Sequence, residues 1–179
     1  MTKYLYSTVL LLIAITIASN AIAQKVIWYT FSEAVKLNEE APRKILVDVY
    51  TDWCGWCKVM DEQTFQDPII SKILNEKYYA VKFNAERKDT VIFQGNTFVN
   101  AGEGSRPPHQ LAVAMLNGKM SYPSIVFLDE KNQLVTAVPG FQKPEQMEPL
   151  LMYIFESLYE KNMNFQEYTQ NYKRKPATE

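Results

Sequence analysis

The chain has 179 residues, 47% of them hydrophobic, with 19 basic and 20 acidic side chains and a formal net charge of −1. So even a balance gives no footing for nucleic acid or an acidic surface as partner. Its two cysteines and one histidine fall short of a zinc site, which takes about four ligands, and no metal or other cofactor is expected.

Residues 1–23 read as an export signal. Lys3 is the only formally charged side chain there, Val9 to Ala18 is largely apolar, and Ala21-Ile22-Ala23 fits the small-x-small rule for cleavage. The expected mature chain starts at Gln24, which places the protein in the periplasm or otherwise outside the cytoplasm. An uncleaved anchor is the alternative, and the apolar stretch is short for a membrane span of roughly 20 residues. Residues 24–163 suit a single domain with one sizeable core, and 164–179 a polar tail.

The elements alternate. Val26-Ile27-Trp28-Tyr29 reads as a short strand. Ser32, followed by Glu33 and the stripe Ala34, Val35 and Leu37, reads as a capped helix. Lys44 to Tyr50 is the clearest strand, apolar on both faces as in the centre of a sheet covered on each side.

Directly after it comes Trp53-Cys54-Gly55-Trp56-Cys57, which holds both cysteines of the chain. A turn opening a helix here would put Cys54 at the helix N-terminus, where free N–H groups and the helix dipole favour a thiolate, and Cys57 one turn deeper on the same face. A structural staple is the alternative use of an exported pair. A two-residue loop constrains the unfolded chain little, however, so reversible dithiol chemistry is the better use of the spacing. Haem attachment would need histidine at 58, which is Lys.

Lys58 to Gln63 continues the helix. Asp67-Pro68 starts another, with Ile69, Ile70, Ile73 and Leu74 as its apolar stripe, and Tyr78 to Phe83 alternates as a strand. Val91-Ile92-Phe93 and Thr97-Phe98-Val99 flank Gln94-Gly95-Asn96 as a small hairpin, followed by a loop from Asn100 to Pro107. Helical character returns from Pro108 to Leu116 and stops at Asn117-Gly118. Ser124 to Leu128 and Leu134 to Val138 read as an antiparallel hairpin. The last long helix carries Met147, Leu150, Leu151, Ile154 and Leu158 on one face, and Pro149 demands either a kink or a start near Glu148. Beyond Lys161 the sequence reads as a loosely docked or frayed tail.

This order, together with Ile45-Leu46-Val47-Asp48, Trp53-Cys54-Gly55-Trp56-Cys57-Lys58 and Tyr122-Pro123-Ser124, resembles the thioredoxin family over roughly residues 26–160. The implied fold is α/β: a central mixed β-sheet flanked by helices on both faces, with an insertion at about 85–107 before the helix that precedes the cis-proline strand. Asp52-Trp53-Cys54 through Thr64-Phe65 and Asp67-Pro68 looks most like the periplasmic C-terminal domain of transmembrane disulfide-interchange reductases and their soluble relatives, which implies a reductive role. Trp56 stands where thioredoxin carries proline, and the insertion is a second departure; both leave redox direction and partner open.

Each site residue has an expected task. Cys54, exposed and with a pKa below the free value of about 8.5, attacks a protein disulfide, and the more buried Cys57 resolves the mixed disulfide. By resemblance Asp48 lies beneath the pair as proton acceptor for Cys57, with a raised pKa; an exposed carboxylate at a strand edge is the alternative. The resemblance also implies a cis Tyr122–Pro123 bond beside the cysteines, with Tyr122 backbone groups pairing to an extended substrate; a trans proline opening a strand is the plain reading. Trp53 and Trp56 offer an apolar docking surface, with core packing the alternative, above all for Trp53. Lys58 reads as a solvated lysine and His109 as structural or surface.

Three functions stay open on the sequence: a protein-disulfide reductase kept reduced by a membrane-embedded electron donor, an oxidase or isomerase of the same fold, and a partner-binding module with little turnover.

Overall fold

The elements in chain order are β1 (Trp28–Tyr29), α1 (Phe31–Glu40), β2 (Lys44–Tyr50), α2 (Gly55–Gln63), α3 (Pro68–Lys77), β3 (Tyr78–Asn84), β4 (Val91–Phe93), β5 (Asn96–Phe98), α4 (Gln110–Met115), β6 (Ser124–Leu128), β7 (Leu134–Pro139), α5 (Pro144–Phe155) and α6 (Phe165–Asn171). They come from a computed structural model that describes residues 25–174; the expected export signal and residues 175–179 lie outside the described residues.

β2 is the middle of a five-stranded sheet in the order β1-β3-β2-β6-β7. It runs parallel to β3 and antiparallel to β6, so the sheet is mixed, and its residues 44–49 are buried, as its near-continuous apolar character implied. The pleat sorts the strand's side chains between two cores. Ile45, Val47 and Val49 join Phe31 and Ala34 of α1 and Leu111, Ala112 and Met115 of α4. Leu46 faces the other way, among Met60 of α2, Ile70 and Leu74 of α3, and Leu151 and Ile154 of α5. Helices therefore cover both faces, the architecture expected of this fold.

Local chemistry adjusts several expected boundaries. The cap of α1 is Thr30 rather than Ser32: Thr30 Oγ1 accepts the Glu33 N–H at 3.3 Å while Glu33 Oε2 accepts the Thr30 N–H at 2.8 Å, a reciprocal box that satisfies two donors at once. Helix α5 begins at Pro144 and runs through Pro149 rather than starting near Glu148; Pro144 sits at its first turn, where no N–H is needed, and Gln146 Oε1 accepts the Lys143 N–H at 3.0 Å. In the β4–β5 hairpin only Gln94 and Gly95 form the turn, with φ of 50° and 74°, the left-handed pair that a two-residue hairpin of this twist requires.

His109 caps α4. Its Nδ1 accepts the Leu111 N–H at 3.1 Å and its Nε2 donates to the Asp89 carbonyl at 3.0 Å, which fixes the ring as the neutral Nε2–H tautomer. The stretch from 164, read as a loose or frayed tail, forms α6 and packs on α5, with Tyr153 edge-on to Phe165 at 5.0 Å and tilted against Tyr168 at 5.6 Å. Arg174 then ties the end of this stretch to Glu148 at 2.8 Å and Asp67 at 2.5 Å.

Candidate active site

Strand β2 ends at Tyr50, and a turn through Thr51, whose carbonyl accepts the Cys54 N–H at 3.1 Å, delivers Cys54 to the N-cap of α2. Cys54 and Cys57 are joined as a disulfide. Cys54 Sγ accepts the Cys57 N–H at 3.1 Å, so one of the helix's unpaired donors already points at the sulfur that would carry charge as a thiolate. An attacking thiol is expected to be exposed, and here the structure differs: Cys54 is 5% exposed against 2% for Cys57. The accessible surface belongs to its neighbours, Trp53 at 52% and Trp56 at 63%, which stand proud on either side of the pair. Core packing of Trp53 is thereby excluded.

The second half of the site closes on these rings. Tyr122–Pro123 is cis. The Tyr122 ring meets Trp53 edge-on at 6.0 Å, and the Phe141 ring lies 5.5 Å from Trp56. The Gly140 N–H donates to the Pro123 carbonyl at 2.8 Å, which ties the segment before Phe141 to the cis-proline segment. Both tryptophans are thus bracketed by residues flanking the β6–β7 pair.

Asp48 is fully buried, not at a strand edge. It follows Leu46 by two along β2 and so points to the sheet face that α2 covers. Its strand partner Lys82 donates to Oδ2 at 2.7 Å and also pairs with Asp61 of α2. Asp61 lies four residues beyond Cys57 on α2, so Lys82 links the buried Asp48 carboxylate to the helix that carries Cys57. Burial raises the Asp48 pKa to about 6; the Lys82 charge opposes this rise and the Asp61 carboxylate adds to it. Burial works against the Lys82 charge, but the two carboxylates outweigh it and leave the ammonium pKa above its ordinary value.

Lys82, Asp61, Glu86, Arg106 and Phe141 escaped sequence reasoning. Lys82 had a usable signal: a buried carboxylate in a central strand needs a counter-charge, and Lys82 is the one cation in the neighbouring strand Tyr78–Asn84. Glu86 and Arg106 had none, since they lie in the insertion. There Glu86 Oε1 accepts the Trp53 Nε1–H at 2.8 Å and the Arg106 guanidinium stands 5.4 Å from the Trp53 ring centre. Lys58 is exposed and His109 serves the fold.

A family model for a thioredoxin-like domain matches residues 31–155. Thiol:disulfide interchange protein DsbD of Escherichia coli (strain K12) is 29% identical over 99 residues, which is 54% of this chain and 14% of that protein. Among solved structures, a DsbH oxidoreductase superimposes with a TM-score of 0.52 at 16% identity, over 82% of this chain and 92% of that one. A thioredoxin from Thermus thermophilus gives a TM-score of 0.54 at 18% identity, over 73% of this chain and 88% of the other. The two structures share the fold; the chain spans only a small part of the curated relative's length.

Proposed function

Because the chain belongs to the thioredoxin-like family and carries a Cys-x-x-Cys pair at a helix N-terminus, it is a thiol–disulfide oxidoreductase, and we propose that it reduces protein disulfides outside the cytoplasm. The observation that carries the reading is the placement of Cys54 Sγ on the Cys57 N–H, with the cis Tyr122–Pro123 segment beside it and the Asp48 carboxylate on the sheet face below.

In the reduced form, the Cys54 thiolate attacks one sulfur of a substrate disulfide and expels the other as a thiolate, which takes up a proton. A Cys54–substrate mixed disulfide results. Asp48, with a pKa of about 6, is an ionised base near neutral pH and accepts the Cys57 proton. The Cys57 thiolate then attacks Cys54 Sγ, closes the disulfide and releases the second substrate cysteine. Two electrons have passed to the substrate, and a dithiol donor must return them. The likeness to DsbD and the export signal read at residues 1–23 support a membrane-embedded donor and a periplasmic setting. Trp53, Trp56, Tyr122 and Pro123 form the substrate-binding rim in this reading.

Equilibration against glutathione redox buffers tests the direction. Potentials in this fold run from about −270 mV in reductants to about −120 mV in strong oxidants. A value in the lower half, together with insulin reduction driven by a dithiol and abolished in Cys54→Ser, supports the reading. A potential near the oxidising end makes the protein an oxidase, and absence of insulin reduction removes the reductase reading.

A further inference from the structure

The 85–107 insertion plays no part in the dithiol chemistry, yet it reaches the site through one side chain. Trp53 is half exposed and still held from three directions. Glu86 Oε1 accepts its Nε1–H at 2.8 Å, Arg106 stands over its ring at 5.4 Å, and Tyr122 meets it edge-on at 6.0 Å. An exposed indole without partners samples several rotamers and loses that freedom when a substrate docks; one already fixed does not.

The insertion is itself a built element. Asn100 Nδ2 donates to the carbonyls of Glu86 at 3.2 Å, Arg87 at 3.0 Å and Pro107 at 2.7 Å, so two N–H groups staple both ends of the insertion together. The His109 N–H donates to the Ala85 carbonyl at 2.6 Å, closing its base. At Gly102 the chain folds so tightly that an added Cβ would fall 2.4 Å from Pro107 Cβ, an approach only glycine permits. A loop fastened this way places Glu86 and Arg106 at fixed positions.

We propose that the insertion is a substrate-selecting clamp, in which Glu86 and Arg106 are positioning residues that hold Trp53 as a rigid wall beside Cys54, favouring disulfides carried in polypeptide segments over small-molecule disulfides. The proposal rests on the disulfide-reducing reading above. A polypeptide entering the site lays the residues next to its cysteine against the Trp53 ring. A small disulfide reaches Cys54 without that contact, so it gains nothing from the wall.

The test compares kcat/KM for insulin with kcat/KM for 2-hydroxyethyl disulfide in the mature protein and its variants. Glu86→Ala should lower the insulin-to-small-disulfide ratio about fivefold, the size of one lost hydrogen bond, and Arg106→Ala about two- to fivefold, the size of one exposed cation–π contact, both mainly through KM for insulin. Glu86→Gln keeps an acceptor oxygen and should recover the ratio. In a Trp53→Phe background, which has no indole N–H, Glu86→Ala should add no further loss. If Glu86→Ala does not fold, Arg106→Ala, at an exposed residue, carries the same comparison. Unchanged ratios in a parent that turns over both substrates overturn the clamp and leave the reductase standing, as does a Glu86→Ala loss that persists undiminished in Trp53→Phe. A parent that turns over neither substrate overturns both.

Discussion

Lys82 Nζ lies 2.7 Å from Asp48 Oδ2 across two adjacent parallel strands, while Asp48 Oδ1 is buried with no hydrogen-bond partner among the described residues. One ammonium therefore satisfies half of a carboxylate that water cannot reach, and burial wins: the pKa rises from 3.8 to about 6. The folded state then binds more protons than the unfolded chain between those values, so this group lowers stability as pH climbs from about 4 to about 6, and the full penalty stands above that. A shift of this size corresponds to roughly 2–3 kcal/mol. Asp48→Asn should be more stable than the parent at pH 7.5 by an amount of that order, with the gain gone near pH 4. Urea unfolding at the two pH values measures it; a variant no more stable at pH 7.5 would show that the carboxylate carries no such cost.

Lys82 is the charge that keeps Asp48 from rising further. Lys82→Met, similar in length but neutral, removes it and leaves Asp61 nearby, so the Asp48 pKa should climb beyond 6 by about one unit. If Asp48 takes the Cys57 proton, the acid limb of the pH profile for kcat in insulin reduction moves to higher pH by the same amount. A limb that stays in place would remove Asp48 from the proton path.

The strands and most helices were legible because their signals are local. The apolar run of β2, the Asp67-Pro68 cap and the Gln94-Gly95 turn each declare themselves within a few residues. Cys54, Cys57, Asp48 and Pro123 were legible as candidates because spacing and order single them out. What sequence could not supply were contacts between distant segments. Glu86 and Trp53 are 33 residues apart, Lys82 and Asp61 are 21 apart, and Arg174 and Asp67 are 107 apart. Accessibility was misjudged for a related reason. The chemistry of Cys54 argues for exposure, but how much of a side chain stays open is set by the tertiary packing around it, and Cys54 is 5% exposed.

The tail should contribute to stability through Glu148. That carboxylate is buried on α5 and accepts from Tyr172 Oη at 2.8 Å and from Arg174 Nε at 2.8 Å, while Arg174 also reaches Asp67, the cap of α3. Ending the chain at residue 171 removes both of these Glu148 partners and should cost about 1–3 kcal/mol, less than a fully enclosed pair because Arg174 is itself partly open to water. Thermal unfolding checks this. The insulin rate at 25 °C should be retained, since these residues are not among those around the cysteines. An unchanged midpoint would mean that the docked tail contributes nothing.

His109 titrates with the opposite consequence to Asp48. Burial disfavours its charged ring and sets its pKa below the ordinary 6.5, against the pull of the Asp89 carbonyl that accepts from Nε2. The unfolded chain thus takes up a proton before the folded state does, and the stability from this group, complete above about pH 6.5, is lost as pH falls through the folded pKa. Protonation would also put a hydrogen on Nδ1, the atom that accepts the Leu111 N–H at the cap of α4. Asparagine can cap a helix and does not titrate. His109→Asn should therefore be less stable than the parent at pH 7.5 by about 1 kcal/mol, the value of the lost Asp89 bond, and the gap should narrow or reverse by pH 5. Melting of the two proteins at both pH values decides the point: a gap of constant size would show that His109 stays neutral, or titrates alike, in both states.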